Sequence, residues 1–438
     1  MWYPALFRGL SWANRGAGRA HRPGPPSQRP APRRSFVPRL EALEGRTVPS
    51  FAGPTELLGV PGGTLVKVAD FNNDSRPDMV TANGPNLNVA VNWSPGTYAQ
   101  TFHAALGADI KDVAVGKING DASNDIVVAT GDKTVSVFLG LRDGRFGSPL
   151  KVNLPKPPNG ASQYAQNVAV GDLTGDGKLD IVVGAESAAY AWLQGWYTYP
   201  KRSDMLATVL VGKGDGTFRA GGSVILDWQS DPTGRPIPIA SGDVNGDGKA
   251  DVVAANYGIY GYAACVGCSP PDELLGDYHV HLLTGDGKGN LQKNYALWAI
   301  GWQDSGWGVP HLAVGDLNGD GRDDIVAAYP SRLHISVSDP STGKLVTSVF
   351  GVSGTPSAVA AGDVAGDRKL DIVVANGSGG GVQLLRGNGD GTFAAPLSFA
   401  PGSSFTAMAM ADLDGDGDLD LVLLGGTSVY QILNDGVW

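Results

Sequence analysis

No run of about 20 consecutive apolar residues, the length that a membrane-spanning helix requires, occurs in this sequence. The 438 residues contain only two cysteines. No Ser-His-Asp arrangement, HExxH motif or phosphate-binding P-loop is recognisable, so the sequence offers none of these enzyme signatures. With 42% hydrophobic and 17% charged residues, the composition is ordinary for a globular protein with a large core.

Basic residues are scarce outside the first fifty positions. Residues 1 to 50 hold nine Arg and two Glu, a net charge of +7, so residues 51 to 438 carry −17 within an overall charge of −10. A nucleic-acid-binding surface would be basic, and we therefore expect no nucleic acid partner. Clustered carboxylates repel one another unless a cation is bound, which favours a metal.

The acidic residues recur in a nine-residue pattern, with Asp typical of its first, fifth and ninth places. We call the seven copies the acidic loops; they begin at residues 70, 117, 172, 243, 316, 363 and 412. They read DFNNDSRPD, KINGDASND, DLTGDGKLD, DVNGDGKAD, DLNGDGRDD, DVAGDRKLD and DLDGDGDLD. Their starts lie 47 to 73 residues apart, so one basic unit repeats and the longer periods carry insertions.

Each acidic loop lies between two short apolar runs. The run after it, such as DIVVG at 180, fits a strand that is buried on both faces. The run before it ends in small residues, as in VAVG at 168 to 171, which suits a strand near a crowded axis. A third run and a second Asp-Gly turn complete four strands in about 47 residues. We therefore expect an all-β protein, with a seven-bladed β-propeller over residues 51 to 438.

The two ends of the propeller are expected to meet in one blade. The last blade reaches Trp438 before its fourth strand, and Phe51-Ala52-Gly53-Pro54 echoes the start of a fourth strand at 393 to 396. We expect residues 51 to 60 to complete the seventh blade and to leave no open edge. The alternative is that this segment is an unpaired leader.

The repeats with their DxNGDGxxD loops resemble FG-GAP/VCBS repeats, and nearly all of 51 to 438 is similar to the integrin α-type β-propeller. The resemblance implies a Ca²⁺ ion in each intact acidic loop, on the side opposite the usual ligand-binding face. It also implies side-chain ligands from places 1, 3, 5 and 9 and a backbone carbonyl from place 7. Oxygen ligands are those that Ca²⁺ prefers, and glycines at places 4 and 6 let the chain curl around an ion.

Five acidic loops keep a side-chain oxygen at all four of these places. Their predicted calcium ligands are Asp70, Asn72, Asp74 and Asp78; Asp172, Thr174, Asp176 and Asp180; Asp243, Asn245, Asp247 and Asp251; Asp316, Asn318, Asp320 and Asp324; and Asp412, Asp414, Asp416 and Asp420. A weaker sixth site is expected at Asp363, Asp367 and Asp371, where Ala365 removes a ligand and Arg368 replaces a glycine.

The second acidic loop departs furthest from the pattern. Lys117 stands at its first place, where its ammonium group could neutralise Asp121 and Asp125, so we expect no ion there. Five or six structural calcium ions are therefore expected in all. The alternative is that the loops are solvated turns stabilised by Asp side chains.

Aromatic residues are concentrated in two insertions, at 185 to 204 and 255 to 281, and in the crossover at 297 to 311. The candidate ligand-binding residues are Tyr190, Trp192, Trp196, Tyr197, Tyr260, Tyr262, Trp302 and Trp307. Strand alternation places these connections opposite the acidic loops. Exposed aromatic side chains stack on sugar rings or anchor a protein partner. The alternatives are that they pack against one another to stabilise long loops, or that they form assembly contacts.

The two cysteines form a CVGC sequence, Cys265 and Cys268. In an exported protein this spacing favours a short-range disulfide. A Cys₂His₂ zinc site with His279 and His281 is the alternative.

The first fifty residues are expected to be a disordered basic leader or a targeting segment, since they are rich in Arg, Pro and Gly. Arg33-Arg34-Ser35-Phe36 resembles a twin-arginine export motif without the apolar segment that should follow it. LEALEGRTVPS at 40 to 50 resembles the LExLExR signature near the start of many exported planctomycete proteins. These features favour a secreted or cell-surface protein.

Three functions remain open at this point. The first is an exported, calcium-stabilised propeller that binds or adheres to a glycan or protein ligand. The second is a propeller-type polysaccharide lyase or sugar dehydratase, for which His279, His281, His311 and Tyr262 are the best candidate bases. The third is a structural module of the cell envelope. We favour a protein that is not an enzyme, because the loops offer no evident base or nucleophile.

Overall fold

The computed structural model describes residues 51–57, 60–157, 160–187, 193–194, 197–198, 203–229, 237–262, 274–300 and 310–436. This part of the chain lies in the second of two units, Thr47–Trp438. The predicted leader at 1 to 50 lies outside it. Within the described ranges every regular element is a β-strand, and no helix is present that could cross a bilayer.

Seven four-stranded antiparallel sheets form the blades of the ring. Blade 1 comprises β2 (Leu65–Ala69), β3 (Asp78–Asn83), β4 (Asn86–Ser94) and β5 (Thr97–Ala105). Blade 2 comprises β6 (Asp112–Gly116), β7 (Asp125–Ala129), β8 (Thr134–Phe138) and β9 (Leu150–Asn153). Blade 3 comprises β10 (Gln163–Gly171), β11 (Asp180–Ser187), β14 (Ser203–Gly212) and β15 (Phe218–Gln229), with a separate two-stranded sheet of β12 (Leu193–Gln194) and β13 (Tyr197–Thr198).

The remaining blades follow in chain order. Blade 4 comprises β16 (Ile239–Gly242), β17 (Asp251–Tyr262), β18 (Leu274–Gly285) and β19 (Leu291–Ile300). Blade 5 comprises β20 (His311–Gly315), β21 (Asp324–Tyr329), β22 (Arg332–Ser338) and β23 (Leu345–Gly351). Blade 6 comprises β24 (Pro356–Gly362), β25 (Asp371–Asn376), β26 (Val382–Leu385) and β27 (Leu397–Phe399). Blade 7 comprises β28 (Ala407–Ala411), β29 (Asp420–Gly425), β30 (Ser428–Ile432) and β1 (Thr55–Glu56).

Apolar side chains pack between the blades, in seven buried clusters that each join two neighbouring blades. The second strand of each blade contributes side chains to the apolar clusters on both sides, toward the preceding blade and toward the following blade. In β7, Ile126 and Val128 pack toward blade 1, whereas Val127 and Ala129 pack toward blade 3. This alternation is why the run is apolar at every position. The predicted all-β, seven-bladed propeller with doubly buried second strands is confirmed.

The ring closes within blade 7, as predicted. Thr55 and Glu56 pair with Gln431 and Tyr430, and an isolated bridge joins Phe51 to Asn434. Leu57 continues inward and is 5% exposed in the apolar cluster between blades 7 and 1. The segment is therefore the fourth strand of the blade and not an unpaired leader.

The two predicted insertions differ in form from the expectation of long connections. In blade 4 the strands β17 and β18 remain paired out to Tyr262 and Leu274, so most of the insertion at 255 to 281 extends a hairpin. In blade 3 the short strands β12 and β13 lie between the paired β11 and β14. Trp298, which falls in the crossover expected at 297 to 311, lies in the outer strand β19.

Leu57 provides a test of ring closure. We expect Leu57→Ala to lower the free energy of unfolding by about 2 to 5 kcal/mol, because it leaves a cavity between blades 7 and 1. The measurement is a denaturant melt of the purified protein. Leu150→Ala is the control, since Leu150 is 41% exposed on the outer strand of blade 2. Equal, small effects of the two substitutions would contradict a closed ring.

Candidate metal centres

The acidic loops all join the first strand of a blade to its second strand. Each second strand begins at the ninth-place aspartate of its loop, and all seven of these side chains are 0% exposed. The ninth-place aspartates are Asp78, Asp125, Asp180, Asp251, Asp324, Asp371 and Asp420. The prediction that this residue opens the next strand is therefore confirmed in every copy.

The first-place aspartate organises the loop by accepting backbone hydrogen bonds. In the third acidic loop, Asp172 Oδ1 accepts from the amides of Gly175 and Asp176 at 2.7 and 3.1 Å, and Oδ2 accepts from Gly177 N at 2.7 Å. The loops that begin at 243, 316 and 412 repeat this arrangement. The chain thus curls around one carboxylate even before any ion is considered.

The curl requires a positive φ at the fourth and sixth places, which glycine adopts without strain. Gly175 and Gly177 have φ values of 71° and 79°. Arg368 adopts 64° at the corresponding sixth place of its loop, and its amide still donates to Asp363 Oδ2 at 2.7 Å. The sixth acidic loop therefore keeps the common backbone shape, and a non-glycine residue in this conformation costs about 1 kcal/mol or more.

The ninth-place aspartate connects three parts of its blade. In the last acidic loop, Asp420 Oδ2 accepts from Leu413 N and Oδ1 accepts from Asn434 N, both at 2.7 Å. In each of the other six copies, one oxygen likewise accepts from a loop amide and the other from an amide near the end of the third strand. The sequence reading assigned this residue to calcium and missed these hydrogen bonds.

Burial perturbs the same carboxyl groups. It raises the pKa of Asp78, Asp251, Asp324 and Asp420 to about 6, against hydrogen bonds that lower it, and neighbouring carboxylates of the loop add to the rise. The pKa values of the other three ninth-place aspartates are also raised by burial. A cation beside these buried groups would favour their ionised form.

Two observations fit a calcium ion in particular loops. Oxygens of Asp412, Asp414 and Asp420 lie within 4.8 Å of one another. In the fourth loop, Asn245 donates to Asp251, while its Oδ1 is buried and has no hydrogen-bond partner in the described part of the chain. Carboxylate and amide oxygens form the donor set that Ca²⁺ prefers.

A basic residue at the seventh place competes for the fifth-place carboxylate in several loops. Lys178 lies 3.1 Å from Asp176, and Lys249 lies 3.0 Å from Asp247. The last loop has Asp418 at this place, and burial together with the surrounding carboxylates raises its pKa. The loop at 412 to 420 therefore carries the most negative charge of the seven and is the best candidate metal centre.

The second acidic loop does not use its lysine as expected. Lys117 is exposed and forms no ion pair with Asp121 or Asp125 among the residues described. Asp121 instead accepts hydrogen bonds from Ser123 N and Asn119 Nδ2, which lower its pKa against the effect of burial. The absence of an ion from this loop stays a prediction.

Most of the predicted ligand-binding and cysteine residues lie outside the described ranges: Tyr190, Trp192, Trp196, Trp302, Trp307, Cys265 and Cys268. Tyr197 belongs to β13, and Tyr260 and Tyr262 belong to the extended part of β17, where only the backbone is described. The aromatic platform and the disulfide stay predictions.

The three candidate histidine bases do not form one cluster. His279 Nδ1 lies 3.0 Å from Asp227 Oδ2, a partner on the outer strand of blade 3 that the sequence analysis missed. His281 packs beside His279 but is 2% exposed, and burial lowers its pKa to about 3, helped by Lys293 and His279. His311 lies in the first strand of blade 5, and burial lowers its pKa.

Two solved structures are similar to this chain. BBS1N, in a complex with ARL6DN, aligns at 16% identity over 89% of this chain and 98% of its own length, with a TM-score of 0.51. An Agrocybe aegerita lectin that recognises non-reducing terminal N-acetylglucosamine aligns at 19% identity over 76% of this chain and 79% of its own, with a TM-score of 0.48. At these identities the likeness concerns the fold alone.

The sequence itself also matches a known repeat family. No curated protein matches the chain. The pattern of the FG-GAP-like repeat matches residues 117–183, 199–254, 316–374 and 363–423, which together make up more than half of the chain. These matches span the acidic loops of blades 2 to 7, and the chain belongs to the FG-GAP-like repeat family.

Proposed function

We propose that this chain is an exported, calcium-stabilised β-propeller that acts as a binding or adhesion module for a glycan or protein ligand. Export is proposed from the LEALEGRTVPS signature at 40 to 50. The calcium ions would be structural, since each acidic loop ties strands of one blade together. The ligand would bind at the opposite end of the ring, where no acidic loop lies.

The observation that carries the binding role is the extension of blade 4. In blade 6 the pairing of the second and third strands ends at Ala375 and Val382. In blade 4 the corresponding strands, β17 and β18, stay paired for several more residues. This extension projects from the end opposite the acidic loops. It lies in the part of the sequence richest in Trp and Tyr, residues that supply much of the binding energy at interfaces.

The calcium proposal rests on the buried carboxylates. Ionised aspartates inside a blade are costly unless a positive charge compensates them. Five complete loops offer side-chain oxygens from places 1, 3, 5 and 9, and the sixth offers three. An ion bound there would compensate the carboxylates whose pKa values burial raises.

One observation favours the enzymatic alternative, a lyase or dehydratase. The Asp227 carboxylate holds His279 in a fixed orientation between blades 3 and 4, in the way that a carboxylate orients a catalytic imidazole. We assign His279 no reaction, because the titratable groups that accompany the Asp227–His279 pair in the described chain are the buried His281 and Lys293, and Lys293 donates a hydrogen bond to Leu226 O.

Calcium titration of the full chain is the first test. We expect five or six ions by calorimetry and a melting temperature that rises with calcium. We expect Asp412→Asn to remove one ion, because Asp412 supplies a ligand of the best candidate centre. Asp125→Asn is the matched control: it removes a ninth-place carboxylate in the loop that we expect to be empty.

The control separates the two roles of these residues. Asp125→Asn should lower stability by about 1 to 3 kcal/mol, since a buried amide loses its acceptor, yet leave the number of bound ions unchanged. No calcium binding by the wild-type protein, or stability indifferent to chelator, would overturn the calcium proposal and leave the loops as simple turns.

The stabilisation by calcium should depend on pH. Four ninth-place carboxyl groups have pKa values of about 6 in the folded chain, against 3.8 in the unfolded chain. Their protonated forms therefore stabilise the metal-free fold, and this contribution is complete below pH 4. They lose that contribution as pH rises to about 6, where calcium begins to bind without displacing protons. The increase in melting temperature on adding calcium should therefore be larger at pH 7 than at pH 5. An equal or larger increase at pH 5 would contradict this coupling.

The aromatic platform is tested with Trp302→Ala and Trp196→Ala on a glycan array and in a protein pull-down. We expect loss of binding of whichever ligand the wild-type protein selects, with unchanged melting temperature. Trp93→Ala is the control, because Trp93 is 53% exposed in blade 1, near the acidic-loop face. Cleavage of a bound glycan, abolished by His279→Ala, would favour the enzymatic alternative.

A further inference from the structure

The first strand of every blade pairs with its second strand in the same register, so equivalent first-strand positions can be compared across the seven blades. The third of the five residues that precede each acidic loop pairs with a valine in the second strand: Val80, Val127, Val182, Val253, Val326, Val373 and Val422. Six of these residues are alanines, namely Ala114, Ala169, Ala240, Ala313, Ala360 and Ala409. The seventh is Lys67 in blade 1, and its side chain is exposed.

Lys67 lines a cavity on the axis of the ring, which we call the axial cavity. It has a volume of about 340 Å³, and its wall includes residues from the first-strand region of every blade. These residues lie toward the beginning of each first strand, so the cavity opens at the end opposite the acidic loops. Its size is at the lower end of the range for small-molecule sites, about 300 to 1,000 Å³.

The polar groups of the wall leave a net positive charge. Lys67 and Lys111 both line the cavity, and neither has a hydrogen-bond or ion-pair partner within the described ranges. Asp112, the acidic residue of the wall, accepts hydrogen bonds from the backbone amides of Val113 and Val168 and from the side chain of Asn167. Two lysines and one carboxylate that already has three donors therefore line the axial cavity.

This arrangement is unusual within a chain segment of charge −17. Three lysines at the acidic loops, Lys178, Lys249 and Lys369, are paired with carboxylates. A concave wall that bears one sign of charge concentrates ions of the other sign. The axial cavity thus differs from the acidic loops in the sign of ligand that it attracts.

The rest of the wall combines apolar side chains with hydroxyl groups that are already hydrogen-bonded. Leu65, Ile239 and Met408 contribute apolar surface. Ser357 donates to Phe405 O at 2.6 Å, and Thr406 donates to Leu424 O at 3.4 Å. A ligand with many hydroxyl groups would find few free partners here, whereas an apolar body would contact the aliphatic side chains.

We propose that the axial cavity binds a small monocarboxylate with an apolar body, with Lys67 as the principal counter-charge and Lys111 as a second cation near the opening. The site is separate from the aromatic platform and from the acidic loops. It requires neither calcium nor a glycan, so its failure would leave the proposed function untouched.

The test uses the full chain in calcium-containing buffer with benzoate as the probe and calorimetry as the measurement. We expect benzoate to bind with one site per chain, and neutral benzamide and the hydroxyl-rich glucuronate to bind at least about tenfold more weakly. Failure of benzoate to bind, or equal binding of benzamide or glucuronate, would overturn the proposal.

Lys67→Ala is the decisive variant, because it installs the residue that the other six blades carry and should preserve folding. We expect it to weaken benzoate binding about tenfold or more, whereas Lys67→Arg should retain binding by keeping the charge. Lys151→Ala, which removes an exposed lysine from the outer strand of blade 2, should leave binding unchanged. Unaltered affinity of a folded Lys67→Ala protein would also overturn the proposal.

Discussion

The buried ninth-place aspartate is the interaction on which each blade depends. One carboxylate oxygen accepts an amide of the acidic loop and the other accepts an amide near the end of the third strand, as in Asp180 with Leu173 and Gly212. An amide or hydroxyl side chain could not offer two equivalent ionic acceptors there. The same residue therefore fixes the entry of the second strand and the end of the third, and it places a negative charge inside the blade.

That buried charge divides the molecule into two ends with different properties. At one end the carboxylates and the positive φ angles at the fourth and sixth places hold the strands of each blade, and this loop shape recurs in six of the seven copies, the second loop being the exception. At the other end the connections differ in length, from the short turn between β21 and β22 to the extended hairpin of β17 and β18. The apolar clusters between blades keep the two ends at a constant separation, so changes in one need not disturb the other.

The repeated parts of this fold could be read from the sequence because their causes are local. Asp180 and the apolar run after it predict a doubly buried strand, and the echo of residues 393 to 396 at Phe51 predicts the closing strand. The pairs Asp227–His279 and Asp112–Asn167 could not be predicted from the sequence, because each joins neighbouring blades across more than fifty residues. Gly258 and Gly261 interrupt the segment from Tyr257 to Tyr262 and are typical of a loop, so its pairing in β17 was missed. The presence of Lys67 where the other six first strands have alanine can be seen in the sequence, but its position beside the axial cavity follows only from the closed ring.

The closing strand also determines when the ring can be completed during synthesis. Glu56 and Ser428, which share a hydrogen bond in blade 7, are 372 residues apart in sequence. The hydrogen bonds that pair the strands of blades 1 to 6 form between residues of the same repeat, whereas the last blade has a very high contact order. Since a ribosome adds about 5 to 20 residues per second, β1 waits tens of seconds for its partner. Until then the apolar surfaces between blades 7 and 1 stay uncovered, so ring closure is the last packing step of the fold.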